Sequence, residues 1–136
     1  MPTSTTGTFT FAVWKELPVG PADATPRLAH ATVTNAFSGG VEAAATTCDY
    51  TVAYASPTTG GFAGMELVAG RVDGRAGTFV LEERGTFDAD GTTRCTFSVV
   101  PGSATGELAG LSGSGSFTAR HGEPSVAYAF TYDLGQ

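Results

Sequence analysis

Polar–apolar alternation with a period of two runs through nearly the whole chain, and it constrains the fold more than any other feature. In "GTFTFAVWKE" (7–16), Phe9, Phe11 and Val13 fall on one face of an extended strand, and Thr8, Thr10, Ala12, Trp14 and Glu16 on the other. "RLAHATVTNAF" (27–37) groups Leu28, His30, Thr32 and Thr34, "CDYTVAYA" (48–55) groups Cys48, Tyr50, Val52 and Tyr54, and "GTFVLEERGTF" (77–87) groups Phe79, Leu81 and Glu83. "RCTFSVV" (94–100), "SGSFTARH" (114–121) and "VAYAFTYDL" (126–134) continue the pattern, while "GGFAGMELVAGRV" (60–72) is apolar on both faces. Successive strand side chains point to opposite faces, so these segments predict about eight short strands. No segment sustains a helical period.

The turn residues agree. Asp73-Gly74 and Asp90-Gly91 supply the positive φ of tight hairpins, and Gly39-Gly40 and Gly60-Gly61 can do the same. Pro18, Pro21 and Pro26 crowd into "LPVGPADATPR", which reads as an irregular loop after the first strand. A chain of 136 residues is one domain by length, spanning 1–136. Eight strands joined mostly by hairpins predict an all-β fold, either an up-and-down antiparallel barrel or a sandwich. A closed barrel of that size is filled by its own side chains or holds one small ligand. The nine Phe and four Tyr would line such an interior.

Charge excludes several functions. The net charge is −6, and the seven basic residues are scattered along the chain. Nucleic-acid binding draws most of its affinity from clustered positive charge, so no nucleic-acid partner is expected. Docking on anionic lipid is disfavoured for the same reason. No apolar run is long enough for a membrane helix, and "MPTSTTGTFTF" has neither the basic nor the apolar region of a secretory signal, so cytoplasmic residence is expected. Cys48 and Cys95 have no CxxC partner, and His30 and His121 are the only histidines. Reduced, half-buried thiols are expected, with no metal and no cofactor.

The glycine-rich "VVPGSATGELAGLSGSGSF" (99–117) matches no catalytic motif. It has no Lys for a phosphate-binding loop, lies in no βαβ unit, and "GLSGS" ends in Ser where a nucleophile elbow needs Gly. It reads as a turn at Pro101-Gly102, a crossing segment and a glycine-kinked strand.

The segments "GTFTFAVWKE", "GMELVAGRVDGRAGTFVLEERGTF" and "VVPGSATGELAGLSGSGSFTARHGE" resemble, in order and over nearly the full length, a bacterial family known as domain of unknown function 3224. The resemblance implies an eight-stranded closed barrel similar to allene oxide cyclase and related in shape to lipocalins. It implies no activity. The family pattern has a Gln-His pair after "FVL", where this chain departs with Glu82-Glu83.

With the Phe-bearing faces turned inward, strand parity also sends Tyr50, Tyr54, Glu83, His121, Tyr128 and Tyr132 inside. Glu66 joins them if Phe62 and Val68 are the inward set, whereas Met65 and Leu67 argue for the opposite phase. A buried carboxylate is costly unless hydrogen-bonded or neutral, so the plainer expectation keeps Glu83 at a strand end and Glu66 on the outer wall, both wet. Three functions remain open. An isomerase or cyclase would preorganise a small hydrophobic substrate, with Tyr54 and Tyr128 as hydrogen-bond donors and Glu66 or Glu83 as acid–base group. Its walls would be Phe79, Phe97, Phe117 and Phe130, with Trp14 at one mouth and His30 either solvated or an interior hydrogen-bonding group. A lipocalin-type binding protein would use the same chamber without chemistry. A carboxylate-dependent hydrolase or peptidase would need two neighbouring acids. Met65, Leu67 and Val80, facing outward, would offer a surface for a homodimer.

Overall fold

Each alternating run forms a strand in the computed structural model, which describes residues 2–134. The strands are β1 (Thr3–Val19), β2 (Arg27–Gly39), β3 (Val41–Glu42), β4 (Thr47–Tyr54), β5 (Gly60–Val72), β6 (Arg75–Phe87), β7 (Thr92–Val99), β8 (Ser112–Arg120) and β9 (Val126–Asp133). Eight of them pair antiparallel in the ring β1-β2-β4-β5-β6-β7-β8-β9, and β9 returns to β1 through Thr3↔Tyr132 to Phe9↔Val126. That closure makes a barrel and removes the sandwich alternative. The two-residue β3 is an extra strand laid against Val72 and Arg71 of β5. Asp73 and Gly74, both at positive φ, form the β5–β6 hairpin as their dipeptide predicts.

Two expectations about β1 need correction. The strand runs on through Leu17, Pro18 and Val19, which pair with His30, Ala29 and Leu28, where a loop was expected. Because β9 pairs only as far as Phe9, the second half of β1 is an edge, where a proline is tolerated. The alternation of β1 is also broken. Ala12 pairs with Thr34 and Lys15 with Thr32, so Val13 and Trp14 together oppose Val33 in a β-bulge. Val13 takes φ 55°, a conformation rare for a β-branched residue. The extra residue reverses the phase, so Phe11 before the bulge and Trp14 after it line the same chamber instead of opposite faces.

One end of the barrel is solid. Val68, Val72, Phe79, Leu81, Val99 and Phe130 pack there in one apolar cluster. The glycine-rich segment crosses this end as expected, with a 3-10 turn at Gly106–Leu108 that seats Leu108 as a plug. The other end, where the β6–β7 and β8–β9 turns lie, is open.

Candidate ligand chamber

The open end encloses a cavity of about 640 Å³. Phe9, Phe11 and Trp14 of β1, Tyr50 and Val52 of β4, Phe62 of β5, Phe87 of β6 and Phe117 of β8 form its walls. Pro57 and Thr58 of the β4–β5 loop, Asp88 to Gly91 of the β6–β7 turn and His121 of the β8–β9 turn form its rim. The Phe62 ring reaches over Gly85 of β6, its register partner, and a Cβ on Gly85 would meet the ring at 2.5 Å. The chamber wall therefore depends on a residue without a side chain.

Asn35 and Tyr50 form the floor. Both also line a second void of about 20 Å³ beneath the chamber, shared with Glu66, Glu83, Phe79, Phe97 and Phe130. A void of that size has room for about one water molecule. Phe79, Phe97 and Phe130 thus belong to the closed half and are not chamber walls, a correction to the expected set. Phe117 touches both spaces.

The carboxylates are inside, against the plainer expectation: Glu66 is 1% exposed and Glu83 2%. The register of β5 decides this by turning Phe62, Glu66 and Val68 inward, leaving Met65 and Leu67 about half exposed on the outer wall. Their burial is tolerated because each is hydrogen-bonded. Glu66 Oε2 accepts from Asn35 Nδ2 at 2.8 Å and from Thr46 Oγ1 at 2.5 Å, while Glu83 Oε1 accepts from the Tyr50 hydroxyl at 2.5 Å. Burial first, then the hydrogen bond to Glu66 and its charge, pushes Glu83 up to about 9, well above the ordinary carboxylate range. Burial also pushes the Tyr50 phenol and the Cys48 thiol far above their usual values, and Cys95 up to about 12.

Cys48, Glu66 and Glu83 bring donor atoms within 4.8 Å of one another. A thiolate and two carboxylates are a chemically sensible set for zinc, although an ion would have to displace the protons that burial holds on Cys48 and Glu83. These residues come from three strands, so no short sequence spacing betrays them.

The remaining candidates are dispersed. Tyr54 is at the mouth, where its hydroxyl donates to Glu16 Oε2 at 2.5 Å and Trp14 Nε1 donates to Glu16 Oε1 at 3.0 Å. The Arg27 guanidinium stacks on the Tyr54 ring at 3.9 Å. Tyr128 is not a chamber donor. It lies at the closed end, over the bare backbone of Gly7, accepting from Val41 N at 2.8 Å and donating to Ser38 O at 2.9 Å. His30 is also outside the chamber: β2 turns Ala29, Ala31 and Val33 inward, which leaves His30 on the outer wall, 2.7 Å from Asp49 Oδ1. Asn35 was missed as a site residue because its neighbours on β2 are Thr and Ala. Tyr50 was placed inside by parity, but its role in the floor depends on the depth of the cavity.

The model of a family described as "Protein of unknown function (DUF3224)" matches residues 5–132. The chain belongs to this family. A crystal structure of a DUF3224 protein of unknown function from Shewanella oneidensis MR-1 is 27% identical, with a TM-score of 0.77 over 100% of both chains. Comparison with curated proteins gives no match. The barrel is thus a DUF3224 fold. Among the described residues, no helix of this DUF3224 chain is long and apolar enough to cross a membrane.

Proposed function

We propose that this DUF3224 protein binds a small hydrophobic molecule in the open half of its barrel and performs no chemistry on it. One observation carries the reading: the barrel is plugged at one end and holds an aromatic-walled cavity of about 640 Å³ at the other. Small-molecule sites commonly have volumes of about 300–1,000 Å³, apolar walls and a few convergent polar groups, here Asn35 and Tyr50. The carboxylates needed by a peptidase lie under that floor, Glu66 held by Asn35 and Thr46 and Glu83 by Tyr50, and neither lines the chamber. The isomerase reading keeps one specific support. Tyr50 lines the chamber and its hydroxyl donates to Glu83 Oε1, so the buried carboxyl pair is one residue away from a bound molecule. Two buried free thiols suit a reducing compartment such as the cytoplasm.

The test is a titration with the uncharged dye N-phenyl-1-naphthylamine. Saturable one-site binding is expected, weakened about tenfold when Val52→Phe fills part of the chamber. Absence of saturable binding, or equal binding by the filled variant, overturns the chamber. Recovery of a converted ligand, with conversion lost in Tyr50→Phe, would replace binding with catalysis.

A further inference from the structure

The chamber also discriminates by charge. We infer that its natural occupant is a cationic amphiphile, an apolar body carrying an amine or quaternary ammonium head, and not a fatty acid or other carboxylate. This rests on the chamber reading above and adds the chemical class of the ligand.

The carboxylates at the opening line the cavity, whereas its two nearby cations are already engaged, Arg27 on the Tyr54 ring and Arg94 on Asp88. Asp88, Asp90 and His121 line the cavity, and among the described residues no Lys or Arg does. A site for a carboxylate head would need a cation or several donors aimed at it, and the walls supply aromatic faces instead. Just behind the wall, Glu16 presents a carboxylate whose two oxygens face only the neutral donors Trp14 and Tyr54. Its negative charge is spent on positioning two rings of the mouth and is not cancelled by an ion pair among the described residues. Asp90 is held ionised by the Thr92 backbone N–H at 3.0 Å. Asp88 is the rim acid with an ion pair, to Arg94 at 2.8 Å.

The rings complete the argument. Aromatic faces carry negative charge density and attract cations, most strongly for Trp and Tyr. The mouth already does this once, since the Arg27 guanidinium rests on Tyr54 at 3.9 Å. A cationic head leaving water at this rim would meet Trp14, Phe11 and Phe87 together with Asp90, with the Glu16 carboxylate behind Trp14 adding its field through the wall. An anionic head would meet the same groups with the opposite sign. The net charge of −6 extends the preference to the approach, drawing cations in and slowing anions.

Trp14 is the sole tryptophan, so its fluorescence reports the chamber directly. Decyltrimethylammonium, 1-decanol and decanoate, used below their aggregation limits, differ only at the head. At low salt the cation is expected to bind at least about tenfold tighter than decanoate, with decanol between them. The double variant Glu16→Gln/Asp90→Asn is expected to shrink the cation-to-anion ratio to about threefold or less, as should roughly 0.5 M salt. Equal or tighter binding of decanoate, or a ratio unmoved by the double variant, overturns the inference. If the uncharged dye binds while that ratio is absent, only the charge preference fails; if neither the dye nor any decyl probe binds, the chamber reading fails with it.

Discussion

Glu83→Gln isolates the energetics of the buried carboxyl pair. In the native state Glu83 holds its proton up to about pH 9, whereas an ordinary carboxyl with a value of 4.5 releases it far earlier. Between those values the native state binds more protons than the unfolded chain. Stability from this group is therefore intact below the unfolded value and is lost as pH rises toward the native one. One retained proton corresponds to about 1.4 kcal/mol per pH unit. From pH 5 to 8 the loss sums to roughly 4 kcal/mol, a large share of the ~5–15 kcal/mol that typically holds a domain together. Gln is a neutral isostere of the protonated acid: its amide oxygen can accept from Tyr50 and its NH₂ can donate to Glu66. The variant should match the parent within about 1 kcal/mol at pH 5 and exceed its stability by roughly 4 kcal/mol at pH 8. Urea unfolding at pH 5, 6, 7 and 8 measures both profiles, and their difference removes the other titrating groups. Parallel profiles would refute the assignment of a native proton to Glu83.

Two further predictions address the two halves of the barrel. Phe79→Ala, in the plugged half and 1% exposed, should destabilise the fold by about 3–5 kcal/mol while the folded protein binds N-phenyl-1-naphthylamine as before; loss of dye binding at temperatures where circular dichroism shows a folded barrel would contradict the division into halves. Deleting Val13 removes the bulge and leaves Trp14 alone opposite Val33 in a regular ladder, so Trp14 should stay in the chamber, keep its emission maximum and still respond to the dye; a red-shifted emission that ignores the dye would show that Val13 is not the surplus residue of the bulge.

The sequence by itself determined the class of fold. A period of two in eight segments, with Asp-Gly and Gly-Gly between them, demands strands and hairpins, because those signals act over a few residues. It also determined that Phe9, Val52 and Phe117 would share an interior, since parity carries along an unbroken strand. Where local pattern was ambiguous, tertiary structure decided. In β5 both faces are apolar, and only the pairing with β4 and β6 turns Glu66 inward and Met65 outward. In β1 one extra residue reverses the parity and brings Trp14 to the chamber, an event invisible to any rule that assumes a period of two. Depth along the barrel axis was likewise unreadable. Phe79 and Phe62 look alike in sequence, yet the 3-10 turn that seats Leu108 plugs one end and leaves the other open, placing the first in a core and the second in a chamber. Alternation encodes which side of a strand a residue occupies, whereas its height in the barrel depends on which segment crosses which end, and that is settled only when the ring closes.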